Sequence, residues 1–274
     1  MTEQELIKAA LAEDLAGGVD ITSQATISAD ATATADFTSR MDGVLAGINV
    51  AHAVLAEVGL NDVTLAKKDG DRVKAGDVLL TVRGNTRAIL LAERTALNFF
   101  GHLSGIATLT SKWVAEVAGT KCQVRDTRKT TPGMRNIEKY AVRMGGGTNH
   151  RLNLSDAALI KDNHIAAAGG VVPAFAQVRA AYPEAEIEIE VDTLEQLKEV
   201  LTQKPDLVLL DNMSPEQCAQ AVALVNGICK LEASGGISIA NARAYAQSGV
   251  DYIAIGALTH SAPVFDIGLD LRAE

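Results

Sequence analysis

Six short apolar runs punctuate the second half of the chain: CQVRD (122–126), AALIK (157–161), EIEIEV (186–191), DLVLLD (206–211), KLEASG (230–235) and DYIAIG (251–256). Helical patterns fill the intervals, among them IAAAGGVVPAFAQVRAAY, TLEQLKEVLTQ, SPEQCAQAVALVNG and SIANARAYAQSG. The late run ends Glu190, Asp211, Ser234 and Gly256 are 21, 23 and 22 residues apart, the length of one strand–helix unit with short loops. Strand and helix alternating at that period dictate a parallel sheet. No GxGxxG follows a first strand, and polar residues close nearly every run. Both features favour a β/α barrel, complete or short of closure, with its chemistry at the C-terminal ends of the strands.

The first hundred residues read differently. Residues 3–15 have the spacing of an amphipathic helix, ATATADFTSR alternates like a strand, and VAHAVLAEVG reads as a helix closed by Gly59. VTLAKKDGDRVKAGDVLLTVRGN alternates with period two, broken at Asp69-Gly70 and Ala75-Gly76-Asp77, which predicts a hairpin. Its DGDRVKAGDVLLTV portion resembles the hairpins of lipoyl and biotinyl carriers, but the carrier context is missing and the segment reads as scaffold. Thr86 to Val117 is helical in pattern, with an expected interruption at Gly101 and Gly105.

Composition excludes several classes. A net charge of −9 and 4% aromatic residues do not suit a general nucleic-acid binder. No apolar run is long enough to span a membrane, and the first residues are acidic where a signal peptide is basic, so a cytoplasmic protein is expected. Cys122, Cys218 and Cys229 follow no disulfide or metal spacing and read as free thiols.

Against the acidic background, Asp126 to His164 concentrates Arg128, Lys129, Arg135, Lys139, Arg143, His150, Arg151, Lys161 and His164. Arg135, Lys139 and Arg143 have the spacing of a solvated helix face. Arg128, Lys129 and Lys161 instead follow or end strand-like runs and should gather at a barrel rim as an anion site. Ser234-Gly235-Gly236 and Gly256-Ala257 each follow a strand and precede helical sequence, an arrangement that aims backbone N–H groups at a phosphate. Glu190 and Asp211 end consecutive strands, with Glu188 on the same face as Glu190. Carboxylates beside a phosphate repel it unless a cation intervenes, which makes Mg²⁺ the expected metal at Glu190 and Asp211, held largely through substrate and water. His150 lacks a second histidine at ligand spacing and adjoins Arg151, so anion recognition is expected rather than metal binding. His164 is open to a capping role through Asn163 or Asp162.

DTRKTTPGMR, EKYAV, GGGTNHR and LIKDNH together resemble the quinolinate phosphoribosyltransferase family. LAEDLAGGVDIT, DGVLAG, AERTALNF, EIEVD, LLDNMSPE, EASGGI and IGALTHS extend the resemblance over nearly the whole chain. It implies an α/β protein with an N-terminal α/β open sandwich domain at 1–108 and a catalytic β/α barrel at 109–274, the last residues returning to the first domain. It implies transfer of the phosphoribosyl group of phosphoribosyl pyrophosphate to quinolinate, with decarboxylation. Arg94 would enter the site of a neighbouring subunit in a homodimer. Arg128, His150 and Arg151 would hold the dicarboxylate, while Lys129 and Lys161 bridge carboxylate and pyrophosphate. Glu190 and Asp211 would serve metal and ribose, and Ser234, Gly235, Gly236, Gly256 and Ala257 would cradle the 5-phosphate. The resemblance leaves two other readings open: a related phosphoribosyltransferase of molybdate-transport operons, and a non-catalytic barrel that binds phosphorylated metabolites. Two departures stand out. The early acidic motif carries extra residues, Gly17 to Val19, and Asn153 replaces a usual glycine, a change expected to preserve a turn because asparagine is the non-glycine residue that best tolerates a left-handed backbone.

Overall fold

The computed structural model describes residues 1–273. Glu274, the end of the expected barrel domain, lies outside the described residues. The chain opens with α1 (Glu3–Leu15), α2 (Ile21–Thr26), β1 (Thr32–Ser39), β2 (Gly43–Val44) and α3 (Ile48–Glu57). It continues through β3 (Asp62–Leu65), β4 (Arg72–Val73), β5 (Val78–Asn85), α4 (Thr86–Val117), β6 (Gln123–Arg125) and α5 (Arg135–Met144). There follow β7 (Ala158–Ile160), α6 (Asp162–Ala168), α7 (Val171–Ala181), β8 (Ile187–Val191), α8 (Leu194–Leu201) and β9 (Leu207–Asp211). The chain closes with α9 (Pro215–Val225), β10 (Lys230–Ser234), α10 (Ile239–Gln247), β11 (Tyr252–Ala254), α11 (Ala257–His260) and β12 (Ile267–Ala273). Two compact units result: Met1–Ser111 with Thr130–Gly146 and the residues from Ala257 on, and Lys112–Lys129 with Gly147–Gly256. Among the described residues no helix is long and apolar enough to cross a membrane.

The first unit is built on an antiparallel sheet in the order β12-β1-β5-β3. Gly70 and Gly76, at φ +90° and +92°, turn the chain where the alternation breaks. Between them β4 leaves the expected hairpin to pair with β2, and β3 pairs with β5. The helix expected to break at Gly101 and Gly105 runs unbroken for 32 residues. A Cβ at Gly101 would stand 2.8 Å from the Phe265 carbonyl oxygen, and one at Gly105 2.1 Å from that of Pro263. These glycines admit a neighbouring backbone rather than end the helix, and intrahelical bonding outweighs the propensity cost of about 1 kcal/mol each.

The second unit carries the parallel sheet, in the order β6-β11-β10-β9-β8-β7. All six strands fall within the six apolar runs. Thr148 bridges the outer edge of β6, opposite Arg125. His150 lies two residues further on, yet its Nε2 is 2.6 Å from Glu188 Oε2 on β8. In a flat sheet β6 and β8 would be four strand spacings, about 19 Å, apart, so the sheet curls back on itself. Among the described residues no ladder joins Thr148 to β7, and the barrel stops short of hydrogen-bonded closure. Every residue of β8 is buried. Ile187, Ile189 and Val191 occupy one face of that strand, and alternation puts Glu188 and Glu190 on the other, inside the curl. The helical pattern at 165–182 splits into α6 and α7 because Gly169 and Gly170 take φ +85° and +134°.

Candidate active site

Inside the curl of the second unit the polar side chains lie in two layers. Glu188 and Glu232 belong to the deeper one, and Glu190 and Ser234, two residues further along β8 and β10, belong to the rim.

At the rim, Lys161 Nζ donates to Glu190 Oε2 at 3.1 Å. Glu190, Asp192 and Asp211 bring carboxylate oxygens within 4.8 Å of one another. Burial, reinforced by Glu190 and Asp192, raises the Asp211 pKa. Three hard oxygen donors whose charges repel, with one ammonium between them, suit a divalent cation of the Mg²⁺ type. Asp192, an exposed residue just past the end of β8, was not anticipated from the sequence. Ser234 pairs with Asp211 across β10 and β9, and the loop after it turns through Gly235 and Gly236 at φ +84° and +64°. A Cβ on Gly235 would fall 2.1 Å from Asn212 Oδ1, whereas one on Gly236 would meet nothing within 4 Å. Asn212 is itself left-handed at φ +53°, its N–H donates to the Ser234 carbonyl at 2.9 Å, and its Nδ2 donates to Asp211 at 2.6 Å. It couples the acidic strand end to the glycine loop. Its signal in the sequence was the DN pair after an apolar run, a turn preference that pattern reading left unused. Gly256 ends the second unit after β11, and Ala257 opens α11 in the first.

Arg128 and Arg151 supply the cations. Each has a buried Nε–H with no hydrogen-bond acceptor. Arg151 is steadied by an NH1 bond of 2.9 Å to the Ala157 carbonyl. Burial and then the like charge of Arg128 lower its pKa. Two guanidiniums that repel each other, each with a buried Nε–H that lacks an acceptor, suit an anion with more than one charge. Lys129 is exposed, and its N–H donates to Thr127 Oγ1 at 3.1 Å.

His150 stands two residues past Thr148 and directly before Arg151. Its ring is buried, Nδ1 accepts the Arg151 N–H at 2.8 Å, and Nε2 faces Glu188. Asp126, fully buried, accepts the His150 N–H at 2.9 Å and an Asn149 Nδ2–H at 2.5 Å. Beneath the ring, Glu232 Oε1 lies 3.6 Å from Nε2 and Glu232 Oε2 accepts from Arg125 at 2.9 Å. Burial drives both Glu188 and Glu232 up to about 7. Arg125 and Glu232 were not anticipated, although Glu232 precedes Ser234 by the same two-residue step that drew attention to Glu188.

Of the remaining expected residues, Arg94 sits exposed on α4 in the first unit. There it lines a groove of about 420 Å³ with Glu13, Asp14, Asn98 and His102. His164 caps α6 with its own ring, accepting the Lys161 N–H at 3.0 Å, so neither Asn163 nor Asp162 is needed for the cap. Asn153 keeps the expected turn, without a left-handed backbone. Its Oδ1 makes the turn instead, accepting from Ser155 N at 2.9 Å and Ser155 Oγ at 2.7 Å.

Comparison with known proteins gives this arrangement a context. Residues 20–104 match the N-terminal domain of quinolinate phosphoribosyl transferase, and residues 106–270 match its C-terminal domain. A nicotinate-nucleotide pyrophosphorylase [carboxylating] of Mycobacterium leprae is 53% identical, over 98% of this chain and 96% of that one. A quinolinate phosphoribosyltransferase [decarboxylating] of Nicotiana tabacum is 40% identical over 99% of this chain and 82% of its own. The crystal structure of the Ehrlichia chaffeensis nicotinate-nucleotide pyrophosphorylase superposes with a TM-score of 0.95 at 40% identity, covering 99% of both chains.

Proposed function

This chain belongs to the quinolinate phosphoribosyltransferase family, and on that premise we propose how its rim residues perform the family's reaction. The enzyme is a pentosyltransferase. It transfers the phosphoribosyl group of phosphoribosyl pyrophosphate to quinolinate and releases pyrophosphate and CO₂, giving nicotinate mononucleotide for de novo NAD synthesis. The observation that carries the assignment of substrate to site is the Arg128–Arg151 pair, with its two buried, unsatisfied Nε–H donors. Quinolinate has two adjacent carboxylates, and planar guanidiniums match them better than ammonium groups do.

In this reading Arg128, His150 and Arg151, with Arg94 from the neighbouring subunit, hold the dicarboxylate. The pyridine nitrogen attacks ribose C1 as pyrophosphate departs, through a transition state of oxocarbenium character. Lys129 and Lys161 offset the charge gathering on the leaving group, so catalysis rests on positioning and electrostatics. Ser234, Gly235, Gly236, Gly256 and Ala257 receive the 5-phosphate. Glu190 and Asp211, with Asp192 beside them, would hold Mg²⁺ or the ribose hydroxyls, the ion supplying charge neutralisation to the diphosphate. Once ribosylated, the ring nitrogen is cationic and stabilises the electron pair left on the adjacent carbon as the C–C bond breaks and CO₂ departs, and that carbon then takes up a proton from water to give the product.

A homodimer with Arg94 lent to the neighbouring site, working in the cytoplasm, completes the proposal. Its support is the AERTALNF motif around Arg94. The test is to incubate the purified protein with quinolinate, phosphoribosyl pyrophosphate and Mg²⁺ while following CO₂ and nicotinate mononucleotide together. Both products from quinolinate are expected, and none from nicotinate. Turnover of nicotinate alone, or of neither acid, would move the site to another heterocycle or to plain metabolite binding. For the shared site, Arg94→Ala and Lys161→Ala chains mixed into heterodimers should regain activity, and a verified heterodimer without recovery would refute it.

A further inference from the structure

We infer, taking from the substrate reading above what Arg128 and Lys129 grip, that Glu138 is a positioning residue: a buried carboxylate on α5 that pins the chain segment carrying those two cations. Glu138 Oε2 accepts the Thr131 N–H at 3.0 Å, and Glu138 Oε1 lies 2.8 Å from His102 Nε2 on α4. A carboxylate only accepts, so Nε2 carries the hydrogen of that bond. Thr131, Glu138 and His102 all belong to the first unit. The Glu138 side chain is fully buried, and the next residue, Lys139, expected on a solvated helix face, is fully buried too. An apolar side chain would fill the place of Glu138 without the desolvation penalty of a carboxylate, so packing alone does not account for an acid there. Its two hydrogen bonds do.

What Glu138 holds is the far end of the cation segment. Thr131-Pro132-Gly133-Met134 has the form of a type II turn: proline second, Gly133 third at φ +82°, and the Met134 N–H closing on the Thr131 carbonyl at 3.0 Å. That turn occupies the Thr131 carbonyl and leaves the Thr131 N–H to an acceptor outside it, which is Glu138. Arg135 Nε donates to Thr130 Oγ1 at 3.0 Å, so the residue before the turn is tied to α5 as well. Lys129 directly precedes Thr130, and its own N–H donates to Thr127 Oγ1 at 3.1 Å. From Thr131 back to Arg128 is three residues, at most about 11 Å of chain, so a displacement at Thr131 reaches both cations with little slack. At the other end, His102 stands on the 32-residue α4, in step with Arg94 and Asn98 at intervals of four. A long packed helix is a stiff mount, and binding groups keep their geometry when their supports are anchored to one.

The closing experiment titrates the full chain with three ligands: quinolinate, phthalate, which has two adjacent carboxylates and no ring nitrogen, and ribose 5-phosphate, a probe of the glycine loops. Glu138→Gln keeps an oxygen for the Thr131 N–H and an amide N–H for the other His102 tautomer, and should bind all three within about 3-fold of wild type. Glu138→Leu accepts nothing. It should bind both acids about 10-fold more weakly and ribose 5-phosphate within about 3-fold, with a quinolinate KM raised by the same factor and a lower kcat. Equal weakening of all three ligands, the mark of a merely structural role, would overturn the inference. So would unchanged binding of the acids, or equal losses in Glu138→Gln and Glu138→Leu. Wild type that bound neither acid would instead sink the substrate reading. Should Glu138→Leu not fold, the His102 pair carries the test. His102→Gln keeps a donor for Glu138 and should stay within about 3-fold, whereas His102→Leu should weaken the acids about 3- to 10-fold and leave ribose 5-phosphate within about 3-fold. No difference between those two variants would overturn the inference.

Discussion

Glu188 and Glu190 are two residues apart on one face of one strand, about 7 Å along it, and their surroundings have little in common. The deep layer around Glu188 is sealed: Arg125 pairs with Glu232, His150 pairs with Glu188, and Glu188 Oε1 and Glu232 Oε1 are buried without a hydrogen bond. The rim layer around Glu190 is open to a ligand, with Lys161 half exposed, like charges crowded together at Asp192 and Asp211, and a glycine loop beside them. One layer spends its charges on holding shape and the other keeps them available. That division is what a β/α barrel offers, since depth along the strand sets how much water each side chain sees.

The comparison can be broken first at the rim. Lys161→Ala should lower kcat by about 100- to 1000-fold, the usual effect of removing one charge-stabilising donor, with the unfolding midpoint in urea nearly unchanged. A matching change in the deep layer should do the reverse. Arg125→Ala leaves Glu232 buried without its partner and should cost about 3 kcal/mol of unfolding free energy, read from urea titrations at pH 7.5.

Proton linkage separates the layers further. Glu232 is lifted from 4.5 to about 7 by burial and then by Glu188, so the folded state holds a proton that the unfolded chain has released. The stability this contributes is complete below about pH 4.5 and disappears as pH rises to about 7. Wild type measured against Glu232→Gln should therefore lose ground between pH 5 and pH 7.5, by about 1 to 3 kcal/mol. A difference that does not vary with pH would mean that the two carboxyls are not proton-linked to folding.

The glycine loop offers a smaller contrast. Gly235→Ala drives a Cβ into Asn212 at a left-handed position and should raise the KM for phosphoribosyl pyrophosphate about 10-fold, whereas Gly236→Ala meets open space and should cost about 1 kcal/mol in stability from its φ alone. Smallest of all, Asn153→Gly should shift the quinolinate KM by less than about 3-fold. The Asx turn it removes is exposed, and surface changes of this kind are usually within about 0.5 kcal/mol.

Much of this was legible in the chain itself. The six apolar runs and their spacing specified a parallel, barrel-like sheet, because periodicity and burial are local properties of sequence. The motifs from DTRKTT to IGALTHS placed the cations, carboxylates and glycine loops at strand ends. Pattern reading failed where the cause was distant. Gly101 and Gly105 looked like helix breaks, yet they are gaps cut for the backbone at Pro263 and Phe265. β4 abandoned its hairpin for β2, and β12 joined β1 from the far end of the chain. Residue types and their order determined which charges this protein has and at which strand ends they stand. Only the tertiary structure decided that Arg125 pairs with Glu232, that Asn212 bonds both Asp211 and the Ser234 carbonyl ahead of the glycine loop, and that His150 faces Glu188. Those outcomes depend on the curl that brings β6 and its neighbouring segment to β8, and no interval along the chain encodes that distance.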